Sequence, residues 1–310
     1  MKKSVLAAAV AGAFVVPAYA ADVSISGVVE YHYNIADGSP DANDNNGDTP
    51  AFTIAATSQT NSGLEVSAVM TVDVDAGANE GGDHIAIAGD FGKLSIGDVS
   101  GAVDATGDWT DIAPENGGFG ADGADHFASL AISPIANLSL VLSANPENSA
   151  HGGTADEGVG YSLTYDFGPA QVYYGAEESK GFGSVEGDTE IELTAYGVKT
   201  SVAGVYLAAE SGEIKDGTST VNFRGLAAKY SMGDITLGVE RQTIDVDGAA
   251  SYTPTQYTTS LAASAVSDAE MNVGYIQYDF GGGLTSFVEV KSDEKNETAD
   301  ETVVGVKYAF

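Results

Sequence analysis

The chain contains no cysteine, so it has no disulfide, thiolate nucleophile or cysteine-ligated metal to work with. Tryptophan occurs once, against fifteen tyrosines. Positive charge is scarce: 12 Lys and Arg stand against 45 Asp and Glu, a net charge of −33. The only arginines are Arg224 and Arg241. A surface this acidic repels a phosphate backbone, which excludes nucleic acid as a partner. A salty habitat would tolerate the same acidity by screening. Beyond residue 20, no apolar run approaches the roughly 18 residues of a membrane-spanning helix.

What is present begins with a targeting segment. Lys2 and Lys3 are followed by an apolar stretch, Val5 to Val16, then by Pro17 and the small-residue site Ala18-Tyr19-Ala20. That order is the pattern of a cleaved secretory signal. We expect residues 1–20 to be removed and 21–310 to form one exported domain. Losing Lys2 and Lys3 takes the net charge from −33 to −35. Glycine is abundant, 39 of 310, against a usual share of about 7%.

The repeating signal is period-two alternation, the mark of strands with two different faces. From Val23 to Tyr33 the odd positions are mostly apolar or aromatic, and the even ones include Ser, Glu and His. Leu64, Val66, Ala68, Met70 and Val72 repeat the pattern, as do Leu138, Leu140 and Leu142, and Val159, Tyr161, Leu163, Tyr165 and Phe167. In a soluble sandwich the apolar face would be core. In a transmembrane barrel it faces lipid and the polar face meets water.

Connection lengths choose between the two. Tight turns fall at 61–63, 90–93, 133–137, 166–169, 199–201, 232–234 and 279–283. Long polar loops lie between them at 37–50, 75–83, 99–125, 145–157, 178–188, 211–220, 243–270 and 292–300. Seven turns and eight loops join sixteen strands. Short connections at one end and long ones at the other is the rule for outer-membrane barrels. The 243–270 segment is long enough for another hairpin, so eighteen strands is the alternative count. Aromatics cluster at the turn ends (Phe91, Tyr165, Phe167, Tyr230, Tyr278, Phe280 and Tyr308), as in an interfacial girdle. The expected fold is therefore an all-β, antiparallel transmembrane barrel with short periplasmic turns, long extracellular loops and both termini on the periplasmic side. By parity, Glu30, His32, Glu65, His84 and Lys307 face its lumen.

Asn61-Ser62-Gly63-Leu64-Glu65-Val66 and Gly89-Asp90-Phe91-Gly92-Lys93, followed by Gly97-Asp98 and a long third loop, resemble the general porins of alphaproteobacteria, the Rhodobacter type. Tyr165-Asp166-Phe167-Gly168 and the ending Val306-Lys307-Tyr308-Ala309-Phe310 fit the same family. The resemblance implies a water-filled outer-membrane channel for passive diffusion of small hydrophilic solutes and ions, assembled as a homotrimer. The outward small residues Ala203, Val205, Leu207 and Ala209 would suit subunit contact. Tyr308 and Phe310 resemble the signal read by the barrel assembly machinery. The loop at about 99–125 carries Asp104, Asp108, Asp111, Glu115, Asp122 and Asp125 with no Lys or Arg. The resemblance implies that it folds inward and narrows the pore. Such porins often set an arginine cluster on the wall against this loop, but residues 48–60 contain none. We therefore expect a preference for cations.

Other chemistry is poorly supported. Gly118-x-Gly120-x-x-Gly123 matches a dinucleotide fingerprint in letters but lacks the helix that must follow. Asp41, Asp44 and Asp48 could hold a loose calcium ion, although the loop departs from an EF-hand. The histidines lack HxxxH spacing, and no nucleophile motif appears. No enzyme activity and no further cofactor are expected. The alternatives are a substrate-specific channel and a secreted acidic β-rich adhesin.

Overall fold

A computed structural model of the chain describes residues 21–35, 51–73, 83–114, 125–145, 157–180, 190–216, 219–247, 268–294 and 300–310. Sixteen strands run in chain order: β1 (Asp22–Asn34), β2 (Ala51–Gln59), β3 (Glu65–Asp73), β4 (His84–Gly89), β5 (Gly92–Ser100), β6 (Asp125–Ile135), β7 (Leu138–Asn145), β8 (Glu157–Asp166), β9 (Ala170–Lys180), β10 (Glu190–Val202), β11 (Val205–Asp216), β12 (Ser219–Met232), β13 (Ile235–Asp247), β14 (Ala269–Gly281), β15 (Leu284–Asp293) and β16 (Glu301–Ala309). Each pairs antiparallel with its sequence neighbours, and β1 pairs with β16, so the sheet closes on itself.

Closure leaves no edge, which lipid could not satisfy. The seam is extended by reciprocal bonds: Gly27 N donates to Phe310 O and Phe310 N to Gly27 O, both at 3.0 Å. The Phe310 ring lies 5.8 Å from both Phe52 and Tyr308. Asp22 opposes Thr57, near the 61–63 turn, and Ala309 N donates to Gly283 O. Both chain ends of the barrel thus lie at the short-turn end.

Exposure inverts the pattern of a soluble protein. In β1, Tyr31 is 75% exposed, while its neighbour Glu30 is 4% exposed. Leu226, Val239 and Val306 are also exposed, whereas Glu210, Glu240 and Gln242 are buried. A belt of exposed apolar side chains around a closed barrel is a lipid-facing surface.

Four inward glycines explain part of the glycine surplus. Gly197, Gly212, Gly238 and Gly305 stand directly opposite Tyr173, Phe223, Tyr275 and Phe287. A Cβ on any of them would lie 2.1–2.4 Å from the partner's ring. Each ring therefore lies across the glycine of the next strand, the aromatic-over-glycine pairing that pins register in strongly curved sheets.

Three expected boundaries shift. The turn placed at 199–201 is at Ala203–Gly204, both with positive φ (51° and 81°), as a two-residue hairpin of the favoured hand requires. Ala203 is therefore a turn residue, not part of an outward strand face. The expected loop 211–220 is mostly strand: β11 runs to Asp216 and β12 starts at Ser219. Its polar side chains Ser211, Glu213 and Lys215 lie on the outward face, while Ile214 and Val221 are buried on the inward one. Finally, β13 pairs directly with β14, Ile244 opposite Ala269, so the closed wall has sixteen strands.

Candidate functional site

Among the described residues, the third loop returns across the inside of the wall. Leaving β5, residues 101–107 make a helical turn, with Ala105 N donating to Gly101 O and Gly107 N to Val103 O. Ala102 N donates to Ser143 Oγ of β7 at 2.8 Å, and the hydroxyls of Thr106 and Ser162 of β8 are 2.6 Å apart. Thr110 donates from N and Oγ1 to Glu210 Oε2 of β11, at 2.9 and 3.0 Å. Tyr173 of β9 donates to the other oxygen of Glu210. Ile112 N donates to Glu240 of β13.

Packing follows the same arc. Trp109 meets Tyr173 edge to face at 4.7 Å, and Tyr206 donates its OH to Trp109 O at 2.8 Å. A side chain at Gly225 could not coexist with Thr110, whose Oγ1 lies 2.1 Å from the would-be Cβ. Behind the loop, Tyr173, Leu193, Ala208, Phe223 and Ile244 form a buried apolar cluster with Val103 and Trp109. The polar-in rule therefore fails on this arc, because the loop displaces the water that would have demanded polar groups.

Of the carboxylates predicted for the loop, Asp104, Asp108 and Asp111 lie on its described part and are half-buried. Burial pushes the Asp104 carboxyl above its usual range, opposed by a hydrogen bond with Ser100. Asp108 adopts φ 59°. Glu115 and Asp122 lie outside the described residues, and Asp125 is placed only as the first residue of β6, opposite Ser100. Residues 1–20 and Asp41, Asp44 and Asp48 also lie outside them.

The five lumen candidates do not form one group. Glu30 and Lys307 pair at 2.8 Å across the β1–β16 seam. His32 is two residues further along the same face of β1, opposite Gly305. Glu65 sits at the turn end of β3, and His84 at the loop end of β4, opposite Gly97.

The anchoring groups were missed from sequence. Val239 is exposed, so parity alone turns Glu240 inward, a signal that was available. Glu210 lay beside the stretch read as a loop. Two lysines were missed as well: Lys199 Nζ lies 4.0 Å over the Trp109 ring and Lys229 Nζ 5.3 Å over the Tyr206 ring. The loop therefore has two cations beneath it that the scarcity of basic residues did not suggest.

The chain matches the family model for Gram-negative porins over residues 6–310. No curated protein matches it in sequence. Among solved structures, a mutant of the Rh. blastica porin is 17% identical, with a TM-score of 0.66 over 93% of this chain and all of that one. An anion-selective porin from Comamonas acidovorans is 14% identical, with a TM-score of 0.65 over 94% of this chain and all of that one. The trimer form of OmpT from Vibrio cholerae is 13% identical, with a TM-score of 0.64 over the same shares. At these identities the likeness is one of fold.

Proposed function

The chain belongs to the Gram-negative porin family, and from that premise we propose that it is a cation-preferring diffusion pore whose third loop sets the constriction. The carrying observation is the latch: Glu210 and Glu240 of the wall accept N–H groups of Thr110 and Ile112. A loop held by buried hydrogen bonds to two wall carboxyl groups is a fixed obstacle, because a buried polar group left without its partner is costly. Small hydrophilic solutes would pass between it and the remaining wall.

The sign of selectivity is a matter of side chains, since an anion-selective porin shares the fold. Here Asp104, Asp108 and Asp111 sit on the loop itself. A unit charge about 4 Å from an ion is worth roughly 1 kcal/mol in bulk water and more beside low-dielectric walls. Screening acts over about 8–10 Å at physiological salt, the scale of a narrow constriction. A few such charges give a several-fold preference for cations, as acidic rings do in other channels.

We further propose export by cleavage after Ala20 and assembly as a homotrimer, for which the trimer form of a structural neighbour is the support. Single-channel recording in a planar bilayer under a salt gradient tests the main reading. Stable conductance with a cation-sign reversal potential is expected. Absence of conductance would defeat the channel, and an anion-sign potential would defeat the selectivity alone. Saturable flux of one solute would favour a substrate-specific channel instead.

A further inference from the structure

Lys199 and Lys229 stand apart from the other basic residues. Both face inward, since Val198, Leu226 and Tyr230 beside them are exposed. Each lies three residues from the turn end of its strand, β10 or β12. Tyr206 is the direct partner of Lys229 in register and bonds Trp109 O at 2.8 Å. Lys199 thus rests on Trp109 and Lys229 on Tyr206, two residues joined through the Trp109 carbonyl, and both lysines are half-buried.

Neither lysine forms an ion pair with a described residue. The carboxylates of this arc hydrogen-bond neutral donors, although Glu210 lies close enough to act electrostatically on Lys199. Glu210 takes Thr110 and Tyr173, and Glu240 takes Ile112 N and Gln242 Nε2. Asp166 takes Gly168 N at 2.6 Å and Gln171 Nε2 at 3.2 Å. An aromatic face holds an ammonium by about 0.5–2 kcal/mol but does not cancel its charge or saturate its three donors. Ser201, opposite Tyr206 on the far side from Lys229, adds an exposed hydroxyl.

Resting on the channel reading above, we propose that Lys199 and Lys229 form a station for the phosphate group of a small solute, on the turn side of the loop. Lysine is a point-charge phosphate ligand that accepts a tetrahedral anion from many directions. Past an acidic loop, such a station lets phosphorylated solutes dwell in a pore that otherwise favours cations.

The probe is inorganic phosphate, and Trp109, the only tryptophan, is the reporter. Phosphate is titrated against chloride at matched ionic strength, reading Trp109 fluorescence in detergent and single-channel potassium current in a bilayer. The intact protein should show a saturable change in both. Lys199→Gln or Lys229→Gln should raise the half-saturating concentration about five-fold, the worth of one water-screened charge at contact distance. The double variant should lose saturation. Lys180→Gln, whose lysine points outward and pairs with Glu157, should behave as the intact protein. Heat-shifted gel migration confirms that each variant is a folded barrel. Conductance without a saturable phosphate effect overturns the station and leaves the channel standing. An equal loss in Lys180→Gln also overturns it, as a general charge effect. A folded barrel with no conductance overturns the channel reading itself.

Discussion

Two arcs of one closed wall are built differently. From β7 to β13 the wall receives the third loop, through Ser143, Ser162, Glu210 and Glu240. From β9 to β14, strands of 11–14 residues, the inner face carries a buried apolar cluster, whereas β7 and β8 present the buried polar Ser143, Asn145 and Ser162. From β16 through β1 to β5 the wall carries polar groups such as the Glu30–Lys307 pair, and β2 to β5 are 6–9 residues long. The difference teaches that a barrel's inner face can turn apolar where a loop covers it, and that the polar groups kept there, such as Glu210, Glu240 and Gln242, are buried. Carboxylates on the loop arc serve as sockets for backbone N–H groups, whereas Glu30 on the other arc is paired with a lysine.

The largest expected effect lies on the short-strand arc, at the β1–β16 seam. Deleting Phe310 removes two reciprocal backbone bonds and its contacts with the Phe52 and Tyr308 rings. Phe310 is exposed on the outside, so the loss should fall on membrane insertion rather than on pore chemistry. The heat-resistant band on an unboiled gel should fade. Normal insertion of the truncated chain would show that the seam needs no terminal ring.

Next comes the latch. Glu210→Ala removes the acceptor of Thr110 and Tyr173. At roughly 1.5–3 kcal/mol per charge-assisted bond, loop attachment should weaken by several kcal/mol. Open-channel current should become larger and noisier while the barrel stays heat-resistant. Lys307→Gln, on the opposite arc, should leave the noise unchanged. If both variants were equally quiet, the loop would not depend on its acidic socket.

A smaller effect separates loop charge from surface charge. Asp104→Asn, Asp108→Asn and Asp111→Asn together should move the reversal potential toward zero. The same three changes at Asp41, Asp44 and Asp48 should move it less. Equal shifts would make the acidity a general surface property.

The smallest effect is in pH. Burial raises the Asp104 carboxyl, so this group takes up its proton at a higher pH than an exposed carboxylate would. As pH falls, cation preference should decline as Asp104 takes up its proton. A reversal potential recorded against pH should lose that decline in Asp104→Asn. An unchanged profile would place Asp104 away from the ion path.

Much of this architecture is legible in the chain because strand parity is a local property. Tyr31 and Val306 declare an outward face, and the turns at 61–63, 90–93 and 279–283 declare one end of the barrel. Glu210 was not legible. It lies just before Ser211-Gly212-Glu213, where the outward face is polar and the inward position is a glycine, so the stretch reads as loop. The turn at Ala203–Gly204 was missed because Ala203 carries no turn chemistry of its own, and only the pairing of β10 with β11 forces its positive φ.

The sequence by itself determined the antiparallel barrel, the outward parity of its strands and the closing strand that ends on Phe310, because alternation and turn residues act over a few neighbours; sixteen strands rather than eighteen was decided by the direct pairing of β13 with β14. Only the tertiary structure decided which wall groups meet the third loop. Thr110 and Glu210 are 100 residues apart, and Ile112 and Glu240 are 128 apart. Contacts at that separation depend on how the whole sheet closes, a geometry that no local pattern of residues encodes.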